Sequence, residues 1–314
     1  PGQLAHGWSG AGDDGMSTST DTLRTSRRTQ LSSGDRTVTI TAHAVLVVWA
    51  ILVIFPLLWT LMTSFKTNSE IFSSPFSLPS TPALENYVYA WNEAGIGMFF
   101  FNTVIVVGFA LFFVMLLGAM CAYVLARFDM PDSRVGHAVM RGIYYLMLGG
   151  LMIPVFLAIV PLFKQLQIMG ILNTLFGLTI TYIGFALPFT VFFLYAFFRA
   201  LPDEIGEAAQ IDGANAWVTF FRIYLPMAKP GLATVAIMNF LGLWNQFLLP
   251  VALNTNRDNY VLSQGLAAFT VSAGYDVNFG AQFAAFVITV FPVLIVYVIF
   301  QRQLQGSVSA GTLK

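Results

Sequence analysis

Between two long apolar runs the chain reads Arg199-Ala-Leu-Pro-Asp-Glu-Ile-Gly-Glu-Ala-Ala-Gln-Ile-Asp-Gly213-Ala-Asn-Ala-Trp-Val-Thr-Phe-Phe-Arg-Ile-Tyr-Leu-Pro226. Pro202 suits a first helical turn, and Asp203, Glu204 and Glu207 favour the positive N-terminal end of a helix. Gly213 suits a left-handed C-terminal stop, so the spacing predicts a short helix over 203–212. Ile205, Ala208, Ala209 and Ile211 give that helix a small apolar side. A second helix is predicted after Asn215. Trp217, Phe220, Phe221 and Tyr224 recur in it at i, i+3, i+4 and i+7 and so share one face, expected to pack under the neighbouring apolar runs. Pro226 is expected to end it. The product is a helix–turn–helix with acidic ends and small alanines, suited to slot into a groove on a partner.

The surroundings of this stretch set the class. Of 314 residues, 57% are hydrophobic and 10% charged, where a soluble domain carries about 25% charged residues. A soluble chain of this size still needs a polar skin. The composition therefore excludes a soluble enzyme, a nucleic-acid binder and a disordered chain, and leaves an integral membrane protein. A bilayer core needs about 20 apolar residues of helix. Trimmed by hydropathy, six candidate spans lie near 43–65, 100–124, 142–163, 174–198, 230–250 and 281–301. The predicted fold class is all-α, a polytopic membrane protein with six transmembrane helices.

Residues 1–40 read as a disordered N-terminal tail. Within it, residues 1–15 are Gly-rich, and Met16 offers an alternative start. Residues 41–301 form the spanning domain, with its patterned loop at 199–229, and 302–314 form a C-terminal tail. The third and fourth spans are joined through Lys164, Gln165, Gln167 and Gly170, which suggests a tight helical hairpin. Pro154 and Pro188 are expected to kink those two spans. Gly108, Gly118, Gly149 and Gly150 are expected to allow close helix approach. The phenylalanines at 99–101, 192–193 and 197–198 are expected to face lipid or fill helix contacts.

Charge sets the orientation. Lys and Arg fall 12 to 3 between the two sets of loops, with only Lys66, Lys164 and Arg257 on the sparse side. The positive-inside rule then places both termini, and the 199–229 loop, in the cytoplasm. No Asp or Glu lies within a trimmed span, so a proton relay on a buried carboxylate is not expected to supply driving energy.

Polar groups in lipid tend to face a bundle interior or a cavity. Asn239, Asn245 and Gln246, with Trp244 beside them, are therefore candidate substrate-pathway residues, and Thr181 and Tyr182 are further ones. Amides can hydrogen-bond sugar hydroxyls, and an aromatic face can stack on a pyranose. The competing reading is helix-to-helix hydrogen bonding. Cys121 is the single cysteine, and His6, His43 and His137 lack ligand spacing, so no metal site is expected. No Gly-Lys pair occurs, so the phosphate-binding loop of an ATPase is absent.

Glu207-Ala208-Ala209, three residues, Gly213, nine residues, then Ile223-Tyr224-Leu225-Pro226 resembles the EAA loop of permease subunits of binding-protein-dependent ABC importers. It lies before the penultimate span, as in that family. Leu201-Pro-Asp-Glu-Ile205, Ile211-Asp-Gly213, the tail from Phe300 and the aromatic-rich fifth span are similar to the carbohydrate-importing, MalG-like branch. The likeness covers roughly residues 40–314. It implies a MetI-like permease architecture in a bacterial plasma membrane. It implies ATPase-coupling roles for Asp203, Glu204, Glu207, Ala208, Ala209, Asp212, Gly213 and Pro226. The implied partners are a second homologous permease, two ATPase subunits that hold the ATP and magnesium, and an extracellular binding protein that delivers a sugar. Loops 66–97 and 252–280 would meet that protein. No cofactor is implied for this chain, and it is not expected to be an enzyme. The alternatives are a permease for another solute such as a glycerol phosphate, a self-sufficient transporter or channel, and a membrane scaffold.

Overall fold

The computed structural model describes residues 33–128, 134–272 and 277–310. Among these every regular element is a helix. In order they are α1 Ser33–Thr63, α2 Asn68–Ser73, α3 Glu85–Asn92, α4 Ile96–Arg127, α5 Arg134–Leu151, α6 Val155–Ile168, α7 Leu175–Arg199 and α8 Glu204–Ile211. Then come the single turn α9 Ala216–Val218, a π-helix Thr219–Tyr224, the turn α10 Leu225–Met227, α11 Lys229–Trp244 and α12 Leu248–Leu253. A 3₁₀ turn Arg257–Asn259, α13 Leu262–Ser272 and α14 Phe279–Ala310 complete the chain. Helix α1 starts, and α14 ends, inside stretches read as tails. Arg24, Arg27, Arg28, Tyr275, Asp276 and Lys314 lie outside the described residues.

Among the described residues four helices are long and apolar enough to cross a bilayer: Thr37–Thr63, Ile96–Arg127, Leu175–Arg199 and Phe279–Gln301. The expected third span, 142–163, is instead a bent pair, because α5 and α6 meet at 108°. Pro154 sits at the break with extended backbone, φ −63° and ψ 131°. Proline lacks an N–H and drives the preceding residue out of the helical region, and Gly149-Gly150 just before it weakens the helix. Pro188, by contrast, lies within an unbroken α7. The expected hairpin of spans three and four is therefore not a simple one: α5 packs on α7, whereas α6 turns away and packs on α12. Residues 134–141, read as loop, belong to α5.

The expected 230–250 span is also broken, at Asn245–Phe247, between α11 and α12. Pro250 has no N–H to offer the Gln246 carbonyl four residues back, so a continuous helix would leave that acceptor unmet. The Ser263 hydroxyl donates to it instead, at 2.7 Å.

The chain divides into two compact units at Phe55. In the first, the apolar side chains along α1 from Val38 to Phe55 are exposed, a surface compatible with lipid but costly in water. The second unit holds two buried clusters. One gathers Ile96, Phe99, Val106, Tyr182, Trp244, Leu249, Leu262 and Ala284. The other gathers Ala122, Tyr123, Val191, Leu194, Phe198, Phe220 and Tyr224.

Helices α4 and α7 form the main pair. A Cβ on Gly118 would stand 2.5 Å from Thr190 Cγ2, and one on Gly150 2.8 Å from Pro188 Cγ, so both glycines permit close approach. Gly108 and Gly149 do not: nothing lies within 4 Å of a Cβ there. Lipid tails are as apolar as leucine, so close packing and hydrogen bonds, not exclusion of water, hold such a pair together.

Candidate functional site

Helix α8 forms for local reasons. The Asp203 carbonyl accepts from the N–H groups of Gly206 and Glu207 at 2.9 and 3.2 Å. At the other end Gly213 has φ +77°, and its N–H donates to Gln210 O at 3.0 Å while Ala214 N–H donates to Ala209 O at 2.9 Å. This pair of bonds is a Schellman stop, which needs the left-handed residue that glycine supplies without strain. The predicted bounds 203–212 thus differ by one residue at each end. Glu204, Glu207, Ala208 and Ile211 are exposed, and their i, i+3, i+4, i+7 spacing puts them on one face. Ala209 is buried against the rest of the protein, whereas Ile211 is 86% exposed. Of the small apolar side expected from Ile205, Ala208, Ala209 and Ile211, Ala209 is buried and Ile205 half-buried, while Ala208 and Ile211 are exposed.

Asn215 caps the following turn, its side chain accepting from Val218 N–H at 2.9 Å. The segment then widens into the π-helix and continues through Pro226 to α10, so Pro226 does not end it. As the second residue of that last turn, it gives up no required N–H. The wider winding also splits the expected aromatic face. Phe220 and Tyr224 are buried. Trp217 and Phe221 point outward and stack on each other, with ring centroids 5.9 Å apart and planes at 8°.

Beneath this element sits a residue that sequence reasoning used only as a charge. Arg127, the last residue of α4, has a side chain only 6% exposed. Its Nη1 pairs with Asp203 Oδ1, and its Nη2 donates to the carbonyls of Phe198 and Leu201. The guanidinium carbon lies 5.1 Å from the centroid of the Tyr224 ring. Asp203 is 86% exposed, so the ion pair alone contributes little. The carbonyl bonds and the ring hold the cation, which also complements the negative C-terminal end of α7. Gly206 was missed as well: a Cβ there would stand 2.6 Å from Tyr224 Oη. Tyr123, Arg127, Arg199, Asp203, Glu207 and Tyr224 line a cavity of about 520 Å³ between α4, α8 and the π-helix.

The candidate pathway residues are not gathered into one site. Thr181 donates within its own helix, to Gly177 O at 2.8 Å, and Tyr182 is buried in the core. Trp244 donates to Thr289 O at 3.2 Å and lines an apolar groove of about 790 Å³ with Phe100, Phe240 and Phe291. Asn245 is exposed and its amide donates back to Leu241 O at 2.9 Å. Asn239 and Gln246 share a cavity of about 330 Å³ with Phe185, Phe189 and Met238. Asn239 Nδ2 donates to Thr190 Oγ1 at 2.7 Å across α11 and α7, which is the helix-to-helix role. Asn239→Ala is therefore expected to lower the unfolding free energy by about 0.6–2 kcal/mol. Solute preference should be unchanged, and a thermal melt beside a transport assay checks both.

At the opposite end of the bundle the loops are pinned by polar contacts. Lys66 is fully buried, and its ammonium donates to Ser74 O at 2.8 Å and Pro75 O at 3.1 Å. Asn102 Nδ2 donates to Asp258 O and Tyr260 O at 2.8 and 2.9 Å. Hydrogen bonds from Ser80 and Thr67 hold the Glu70 carboxyl down at about 2, from an ordinary 4.5. A depressed carboxyl stabilises the fold fully above its unfolded value, and the contribution is lost as pH falls through the folded one. The 66–84 segment is thus expected to resist pepsin at about pH 4 and to open only towards pH 2. Glu70→Gln should be cleaved at the higher pH already.

The binding-protein-dependent transport system inner membrane component family matches residues 115–309, a stretch that includes α8, the π-helix and the whole Glu207–Pro226 pattern. The chain belongs to that family. Among relatives in this permease family, the diacetylchitobiose uptake system permease protein NgcG of Streptomyces coelicolor is 60% identical over 90% of this chain and 91% of its own length. The multiple sugar-binding transport system permease protein MsmG of Streptococcus mutans is 32% identical over 87% of this chain and 96% of its own. A solved bacterial ABC transporter involved in import of the acidic polysaccharide alginate superposes with a TM-score of 0.75 at 22% identity. That match covers 86% of this chain and 98% of the other, and establishes the shared permease fold.

Proposed function

We propose that this chain is the membrane-spanning permease subunit of an ATP-driven sugar importer, and that α8 is the element through which separate ATPase subunits deliver their work. The observation that carries the reading is the two-sidedness of α8. Its outer face offers Glu204, Glu207, Ala208 and Ile211 to a partner, while Ala209 is buried and Asp203 and Gly206 seat the helix on the end of α4 and on the π-helix. A push on such a helix reaches the spans directly. The chain has no phosphate-binding loop, so ATP and magnesium belong to the partner subunits. The charge asymmetry supports placing α8 and both termini in the cytoplasm of a bacterial cell.

The sugar class follows from the relatives: a permease for diacetylchitobiose at 60% identity, and a multiple-sugar permease. An N-acetylated disaccharide is thus the first solute to try. The chain would act with a second permease, two ATPases and an extracellular binding protein, admitting the sugar by alternating access. The test is ATP hydrolysis and uptake by the assembled complex in liposomes. Diacetylchitobiose with its binding protein should stimulate both. Transport by this chain alone without ATP would replace the reading with a self-sufficient carrier. Hydrolysis that no sugar stimulates would remove the sugar reading.

A further inference from the structure

We propose that Arg127 is a positioning residue that makes α8 move as one body with the ends of α4 and α7, so that a displacement of α8 becomes a rearrangement of the spans. The inference rests on reading α8 as the coupling element. One guanidinium reaches four separate pieces of chain. It is covalently the end of α4. It binds the Phe198 carbonyl in the last turn of α7 and the Leu201 carbonyl in the connection beyond it. It pairs with Asp203, the residue that caps α8. It lies against Tyr224, in the π-helix that leads into α11. Without it, the short link from Leu201 to Asp203 would be the direct tie between α7 and α8, and such a link can hinge.

The chemistry requires arginine. A planar fork addresses two carbonyls and a carboxylate from fixed directions and presents a flat face to a ring, whereas an ammonium is a single point charge on a flexible stem. The buried Nε has no hydrogen-bond partner, an unmet cost consistent with an orientation set by the other contacts. The π-helix beside it is a rare geometry that recurs at functional sites, and here it aims Tyr224 at both Arg127 and Gly206.

The experiment uses the full complex of this chain with its partner permease, ATPases and binding protein, and reads sugar moved per ATP hydrolysed. A purely structural arginine would change the yield or melting temperature of the complex and leave that ratio alone. Arg127→Gln is expected to assemble with the ATPases and to lower the ratio about tenfold, within the usual range of coupling between sites. Arg127→Lys, which keeps the charge, should remain defective and covers the case in which the Gln variant fails to assemble. An unchanged ratio in either assembled variant overturns the proposal. So does loss of assembly in both, since Arg127 would then be a folding residue. Should the unmodified complex show no sugar-stimulated hydrolysis, it is the functional reading that fails. An unmodified complex that couples beside variants that couple equally removes only the role of Arg127.

Discussion

Gly213→Val is expected to lower sugar-stimulated ATP hydrolysis and uptake about tenfold, while Gly213→Asn stays near the unmodified chain. The reason lies in the backbone. Gly213 has φ +77°, and a Cβ there would meet nothing within 4 Å. Steric room is therefore ample, and only the left-handed conformation penalises a side chain. That penalty is about 1–2 kcal/mol for an ordinary L-residue and larger for a β-branched one, whereas asparagine visits the region readily. If the cost is met by abandoning the Schellman stop, Gly213 and Ala214 lose their bonds to Gln210 and Ala209, and the chain leaves α8 in another direction. The outer face of α8 would then no longer sit at a fixed angle to the π-helix. Equal uptake by the valine and asparagine variants would show that the stop shapes nothing the partner reads. Equal loss in both would show that bulk, not backbone, matters at this position.

What the sequence disclosed depended on the range of the forces involved. Helix α8 was legible to within a residue at each end because its acidic start and glycine stop act within one turn. The overall apolar architecture was legible because twenty-residue runs permit few alternatives. The break at Asn245 was harder. Pro250 lies within the apolar run, and its consequence appears only when Ser263, from another helix, takes the carbonyl that it abandons. Arg127 was unreadable for a stronger reason. Two of its partners are backbone carbonyls, which leave no residue signature, and all lie far along the chain. A span-terminal arginine on a helix that carries no acid of its own was the available hint.

The aromatic stretch shows the same division. Helical spacing assigned Trp217, Phe220, Phe221 and Tyr224 to one buried face. The π-helix keeps Phe220 and Tyr224 inward, with ring centroids 5.0 and 5.2 Å from Tyr123, and turns Trp217 and Phe221 out. No local propensity selects a π-turn. The partner that the inward pair meets, Tyr123 of α4, lies far away in sequence. Likewise the polarity of Asn239 leaves a pathway role and a bond between helices both open, and it takes Thr190, on a helix remote in sequence, to show the bond between spans.

Those contacts make Gly206 the other sensitive position. Gly206→Ala is expected to destabilise the seat of α8 by about 1–3 kcal/mol, the range for overpacking a filled site, and to reduce uptake accordingly. The added Cβ would stand 2.6 Å from Tyr224 Oη, whereas the next ring atoms lie at 3.6 and 3.7 Å. A tyrosine at the surface could swing aside. This one is 3% exposed, with Tyr123 at 5.2 Å and the Arg127 guanidinium at 5.1 Å. Moving the ring thus means loosening the cation that ties α4 to α7. The clash resides in a single oxygen, which gives the idea a sharp test. Tyr224→Phe removes that oxygen, leaves the ring beneath Arg127 and brings a new Cβ at residue 206 into ordinary contact. The double variant Gly206→Ala with Tyr224→Phe should therefore recover most of the melting temperature and uptake that Gly206→Ala loses, a coupling visible in a double-mutant cycle. Additive losses would mean that α8 is not seated on Tyr224, and that work applied to its outer face reaches the spans by some other contact.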